Sequence, residues 1–163
     1  FAGRPPLQAD LLLKTENGGI PVTIINIHMK CCDSGLQRRK NAVNMLHNYV
    51  DEIFESQSNI ILLGDWNDDT KDEAGQHSFD AFFNDNRFHF VTQEISYDVS
   101  QASYPKEPWV SFLDHILVSN KLVEPGSNYH VQTIKMGDYM GGYKNYDTYI
   151  SDHLPVLLSF PKP

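Results

Sequence analysis

The chain has 163 residues, the size of one ordinary domain with its own core, which excludes a long multidomain architecture. Hydrophobic residues make up 40% and aromatic residues 12%, so wholesale disorder is excluded, and no apolar run reaches the roughly 20 residues of a spanning helix. With 13 basic and 21 acidic side chains the net charge is −8, which disfavours a basic, non-specific binder of nucleic acid or anionic membrane, although a bound divalent cation can reverse the sign locally. The chain opens Phe1-Ala2-Gly3-Arg4 without Met, as though cut from something longer.

Residues 9–14 and 20–29 are apolar and β-branched around Glu16-Asn17-Gly18-Gly19, which predicts a hairpin. Cys31 and Cys32 follow. A bridge between neighbours is strained, so they read as two reduced, half-buried thiols or as partners of cysteines in another chain. Ala42, Val43, Leu46, Tyr49, Val50 and Ile53 recur at three- and four-residue steps, predicting an amphipathic helix over 36–55. Arg38-Arg39-Lys40 at its start reads as a solvated basic face. Residues 59–64 are apolar on consecutive positions, the mark of a strand buried on both faces. A short helix is expected within 76–84, a weak strand at 88–92, and loop over 97–109, broken by Pro105 and Pro108. Strands are expected at 112–119, 129–134 and 154–160, with a Gly- and Tyr-rich loop from 137 before the last. Strands with one clear helix define a layered α/β or α+β domain over 1–163.

Four apolar strands end in, or are entered through, His, Asp or Asn. Asn26 and His28 close the first; Asp65 and Asn67 follow the second; Asp114-His115 opens the third; Ser151-Asp152-His153 precedes the last. Each has a structural reading alone: a satisfied core histidine, a turn aspartate, an N-cap. Burying several such groups without partners is costly, about 1 kcal/mol or more each, so together they point to one shared polar site. The set offers carboxylates for a hard cation, an amide for a phosphoryl oxygen and imidazoles for proton transfer. Other sites fit worse. In Asp65-Trp66-Asn67-Asp68-Asp69, a calcium loop needs Gly where Thr70 stands and Glu where Gln76 stands. Serine-hydrolase elbow, His-Glu-x-x-His and phosphate-loop motifs are missing from the sequence.

Asn26-Ile27-His28, Gly64-Asp65-Trp66-Asn67, Leu113-Asp114-His115-Ile116 and Ser151-Asp152-His153-Leu154-Pro155-Val156, in that order, resemble the motifs of the endonuclease/exonuclease/phosphatase superfamily. Phe1-Ala2-Gly3-Arg4 resembles its strand with a substrate-facing Arg. The resemblance implies a DNase I-like four-layer α/β sandwich, two packed, mainly antiparallel sheets flanked by helices, with this chain as the C-terminal portion. It implies metal-assisted hydrolysis of a phosphoester, with Mg2+ as the expected ion and Mn2+ or Ca2+ as alternatives. By the family pattern Asp152 is a metal ligand, and His153 activates water or stabilises the scissile phosphate. Asp114 orients His153, Asp65 and Asn67 position water and a phosphoryl oxygen, His28 binds phosphate or protonates the leaving group, and Arg4 pairs with phosphate. Asn26 and, as a more remote contributor, His115 are expected on the substrate side. Tyr143, with the other tyrosines of 137–149, is expected to line a cleft beside Asp152, and Trp66 to be core.

The family's domain is longer, and its first portion carries an Asn and a metal-binding Glu whose motifs this sequence lacks. The expected partners are therefore a phosphoester, nucleic acid or phosphorylated small molecule, and an N-terminal portion on a separate chain or a lost segment. Phosphodiesterase or nuclease is the leading activity; a phosphomonoesterase, or a binding module without the metal, is the alternative. Leu113-Asp114-His115 differs from the Cys-Asp-Arg of the inositol phosphatases and disfavours that subgroup. No spanning segment is expected, and a secreted or periplasmic location is slightly favoured over a cytoplasmic one.

Overall fold

The structure is a computed structural model that describes residues 1, 3–15 and 18–161. Ala2 of the opening motif and Glu16 and Asn17 of the expected turn lie outside the described residues. On either side of that turn, β1 (Leu7–Thr15) and β2 (Gly18–His28) pair antiparallel, from Leu7 opposite Asn26 to Thr15 opposite Gly18. The expected hairpin is present.

Helix α1 (Leu36–Phe54) turns Arg39, Ala42, Val43, Leu46 and Val50 inward, the three- and four-residue spacing that puts side chains on one stripe. It ends where Ser56 and Gln57 turn back to the carbonyl of Ile53. The basic cluster is corrected here: Arg39, one helical turn before Val43, is only 4% exposed rather than part of a solvated face. The helix is also the crossover that allows β3 (Ile60–Asp65) to lie parallel to β2, a connection too long for a tight turn. Two short elements follow: α2 (Asp80–Phe83), the short helix expected within 76–84, and β4 (Phe88–Phe90). β5 (Asp114–Ser119) completes a five-stranded sheet in the order β1-β2-β3-β5-β4, antiparallel except between β2 and β3. β6 (His130–Thr133) and β7 (Val156–Ser159) form a second, antiparallel sheet.

The alternation of side chains along each strand divides the core in two. Ile25, Ile27, Ile60, Leu62 and Leu117 face α1 and α2 and meet Val43, Leu46, Trp66, Phe79 and Phe82. Trp66 is fully buried among Phe79, Phe82 and Phe90, and its indole N–H donates to the His115 carbonyl, which bears out its core reading. Truncating such a ring costs about 3–5 kcal/mol. Val22, Ile61, Ile116 and Val118 face the other way, toward Val131, Val156 and Leu158 of the small sheet. The layers are thus helix, five-stranded sheet, two-stranded sheet, a mixed α/β arrangement in keeping with the expected sandwich. Residues 143–149, expected as loop, form α3 (Tyr143–Tyr149), which buries Tyr146 and leaves Tyr149 exposed.

Candidate active site

Strand register builds the site. His28, the last residue of β2, pairs with Asp65, the last of β3, and Asp65 pairs with Asp114, the first of β5. Residues in one cross-strand row share a face of the sheet, so a His and two Asp stand side by side at one sheet edge, on the side of β6 and β7. The same rule sends the next residue, His115, to the opposite face. That corrects its assignment to the substrate side. His115 is fully buried, packed by the rings of Phe79, Phe90 and Phe112, with Nε2 donating to the Asp68 carbonyl and Nδ1 accepting from Thr92 Oγ1. Burial pushes its pKa down to about 4.

Within β3, Gly64 has φ +128°, and a Cβ there would stand 2.1 Å from the Ile27 carbonyl and 2.7 Å from the Asn26 amide oxygen, so only glycine fits. Asn26 lies on the His28 face of β2 but packs over Gly64 and is not among the residues lining the cleft. After Asp65 the backbone enters the left-handed region at Asn67 (φ 53°), a conformation Asn tolerates. That brings Asn67 Nδ2 back to Asp65 Oδ2 at 2.7 Å and to the Met29 carbonyl at 3.2 Å. Both amide hydrogens are engaged, so Asn67 offers the cleft its oxygen rather than the donor expected from the sequence.

Arg4 reaches the row from the other end of the chain. Its NH2 donates to the Met29 carbonyl at 2.9 Å, and its NH1 lies 2.8 Å from His28 Nε2. Arginine only donates, so His28 is the acceptor, and its 3.2 Å approach to Asp65 Oδ2 is a contact without a proton between them. On the other side His153 Nδ1 lies 2.7 Å from Asp114 Oδ2. Burial works against the charged form of His153, but its bond to Asp114 and the carboxylates of Asp114, Asp65 and Asp152 outweigh it and raise its pKa. Burial, reinforced by the charge of Asp114, also pushes the Asp65 carboxyl above its usual range.

These groups share a cleft of about 1110 Å³, lined by Arg4, His28, Asp65, Asn67, Asp114, Asp152 and His153 together with Tyr104 and Trp109. Tyr143 does not line it. Its hydroxyl donates to the Asp152 carbonyl at 2.7 Å, and burial, with Asp147 and Asp152 nearby, pushes its pKa up to about 12, so it holds the Asp152 backbone as a protonated donor. Among the described residues, Asp65, Asp114 and His153 each offer a donor atom within 4.8 Å of the others, a group compact enough for one ion. The carboxylate oxygens and the Asn67 amide oxygen suit a hard divalent cation. Asp152, the ligand expected from the sequence, borders the same cleft but is outside that compact trio.

Two supporting residues escape sequence reasoning. Ser103 is fully buried; its Oγ accepts from the amides of Leu113 and Asp114, and its carbonyl accepts from Leu154 N, so it fastens both halves of the Asp114–His153 pair. Nothing near Ser103 in sequence marks that role. Arg39 forks onto Asp68 at 2.7 and 2.8 Å and donates to the carbonyls of Lys30 and Cys32. Its phase with Ala42, Val43 and Leu46 is the signal that could have identified it.

The fold is the DNase I-like one that the sequence resemblance implies. The chain is similar to TDP2 of D. rerio complexed with single strand DNA product (TM-score 0.61, 17% identity, 95% of this chain and 61% of that one). It is likewise similar to the mannosyl-6-phosphatase Bt3783 of Bacteroides thetaiotaomicron (0.53, 21%, 96% and 58%) and to the human Nocturnin catalytic domain with bound sulfate anion (0.52, 17%, 94% and 53%). The chain therefore spans about three-fifths or less of the length of these structures. At such identities the likeness establishes the fold. No protein-family profile and no curated protein sequence matches the chain. Among the described residues, no helix is long and apolar enough to cross a membrane.

Proposed function

We propose that this domain is a divalent-metal-dependent phosphoester hydrolase, foremost a phosphodiesterase or nuclease that attacks phosphorus in line with activated water. The observation that carries the reading is the row His28, Asp65, Asp114 with His153 bonded to Asp114 in one open cleft. A hard cation held by Asp152 with the Asp65 and Asp114 carboxylates, Mg2+ in the first instance, would neutralise charge on the non-bridging phosphate oxygens. Asp114 accepts from Nδ1 of His153, which fixes the tautomer with Nε2 unprotonated and ready to take the proton of the attacking water. Asp65, held by Asn67, presents its other lone pairs to that water. Arg4 is the phosphate clamp. When a phosphate draws Arg4 away, His28 is released to hold a proton at Nε2 for the leaving oxygen. Trp109 and Tyr104 give the cleft an apolar wall for the rest of the substrate.

The exposed leucines of edge strand β1, Leu7, Leu11 and Leu12, support the further proposal that a segment beyond this chain, on the same or another polypeptide, completes the sheet and adds ligands to the site. Gel filtration tests that part, with association through β1 as the expected outcome and a monodisperse, fully active monomer as the contrary one.

The test of activity is hydrolysis of bis(p-nitrophenyl) phosphate, p-nitrophenyl phosphate, DNA, RNA and sphingomyelin with Mg2+ or EDTA, with Asp152→Ala and His153→Ala as controls. The expected outcome is metal-dependent cleavage of a diester that both variants abolish. Preference for the monoester would make the enzyme a phosphomonoesterase, and metal-dependent binding without turnover would make it a binding module.

A further inference from the structure

The segment that follows His28 forms the rim of the cleft, and the chain's only two cysteines, Cys31 and Cys32, line it beside Arg4 and Arg39. Neither thiol has a part in the hydrolytic reading. Their sulfurs converge: Cys32 Sγ lies 2.8 Å from Cys31 Sγ, and Lys30 Nζ lies 3.8 Å from Cys31 Sγ. Cys31 is half-buried and Cys32 exposed, so the half-burial expected for both holds for the first alone. The backbone on both sides of Cys31 is clamped, because Arg39 NH1 donates to the Lys30 carbonyl at 2.9 Å and to the Cys32 carbonyl at 2.8 Å. The pair is thus a held, accessible dithiol among cationic side chains.

We propose that Cys31 and Cys32 are a redox-active pair, a modification site at the cleft rim for low-molecular-weight disulfides such as oxidised glutathione. The Cys31 thiolate attacks one sulfur of the disulfide, forming a mixed disulfide and releasing one thiolate. Cys32 gives up its proton to solvent and attacks the Cys31 sulfur, forming the internal bridge and releasing the second thiolate. The two cysteines lose two electrons and two protons, and the external disulfide is reduced to two thiols. Cys31 is the attacking group: the hydrogen bond from Cys32 pushes its pKa down, the Lys30 and Arg4 charges add to this, and burial opposes it. Adjacent Cα atoms stand about 3.8 Å apart, closer than the roughly 4.4–6.8 Å of ordinary bridges, so the oxidised form is strained and easily reduced. The modification is therefore reversible.

Intact mass spectrometry of the whole chain, after oxidised glutathione and then a thiol alkylator, tests this. The wild type should lose the mass of two hydrogens, take up no alkylator, and recover both thiols in dithiothreitol. Cys32→Ser should stop at one glutathione adduct on Cys31, and Cys31→Ser should react about tenfold more slowly. Wild-type protein carrying two glutathione adducts, or left unmodified, would overturn the proposal, as would equal rates for the two variants.

Discussion

Asp114 Oδ2 accepts a 2.7 Å hydrogen bond from Nδ1 of His153, which joins the first residue of β5 to the segment entering β7. The bond spans the two sheets, so each half of the pair is placed by a different layer of the fold. Replacing Asp114 with Asn keeps the shape but removes the carboxylate charge and allows an amide N–H to face Nδ1, so the imidazole tautomer is no longer fixed. The expected outcome is a fall in kcat of about 10- to 100-fold with KM little changed. Equal losses in kcat and thermal stability would show that Asp114 serves the fold and leaves His153 to orient itself.

Ser103 acts through that pair. Ser103→Ala leaves the amides of Leu113 and Asp114 without their acceptor, an expected loss of about 1–3 kcal/mol in denaturant-derived stability. Because the Asp114 backbone is one of the two groups released, kcat should fall in the protein that remains folded, and Ser103→Thr should restore part of it. A variant that is less stable but fully active would separate Ser103 from the site.

The fold was legible where sequence period and burial coincide. β3 and α1 carry strong patterns, consecutive apolar positions in one and a three- and four-residue stripe in the other, and both lie within a residue or so of their expected bounds. The polar ends of the strands marked the candidate site for the same reason, since His28, Asp65 and Asp114 each interrupt an apolar run. What remained hidden depends on partners distant in sequence. His115 looks like a neighbour of Asp114 in sequence, yet strand alternation puts it on the opposite face. Tyr143 looks like a cleft tyrosine, yet α3 turns its hydroxyl to the Asp152 carbonyl. Ser103 shows nothing until three separate segments meet around it.

The buried Arg39–Asp68 pair carries an expectation of its own. Both side chains are 4% exposed and bonded bidentately, with Asp68 also accepting from Ser78 N. Removing one charge strands the other away from water, so Asp68→Asn or Arg39→Met alone should cost about 3–5 kcal/mol, with the double variant recovering part of the loss. Chemical denaturation of the four proteins in a double-mutant cycle reads the coupling. Additive losses would place the two residues in independent roles.

His115 makes stability depend on pH in a direction the structure fixes. Its folded pKa is lowered to about 4 from an ordinary 6.5, because burial among phenylalanine rings disfavours the imidazolium. The neutral ring also suits its partners, accepting from Thr92 and donating to Asp68. The unfolded chain therefore binds a proton at higher pH than the folded one does. The stabilisation is fully present above 6.5 and is lost as pH falls from 6.5 to about 4, by an amount on the order of 3 kcal/mol. Carboxylates titrate over part of the same range, so the informative quantity is the difference between wild type and His115→Gln, whose amide can keep one donor and one acceptor without titrating. Stability of the wild type should fall more steeply over that window than stability of the variant. Parallel curves would show that His115 takes up its proton in the folded state as readily as in the unfolded one.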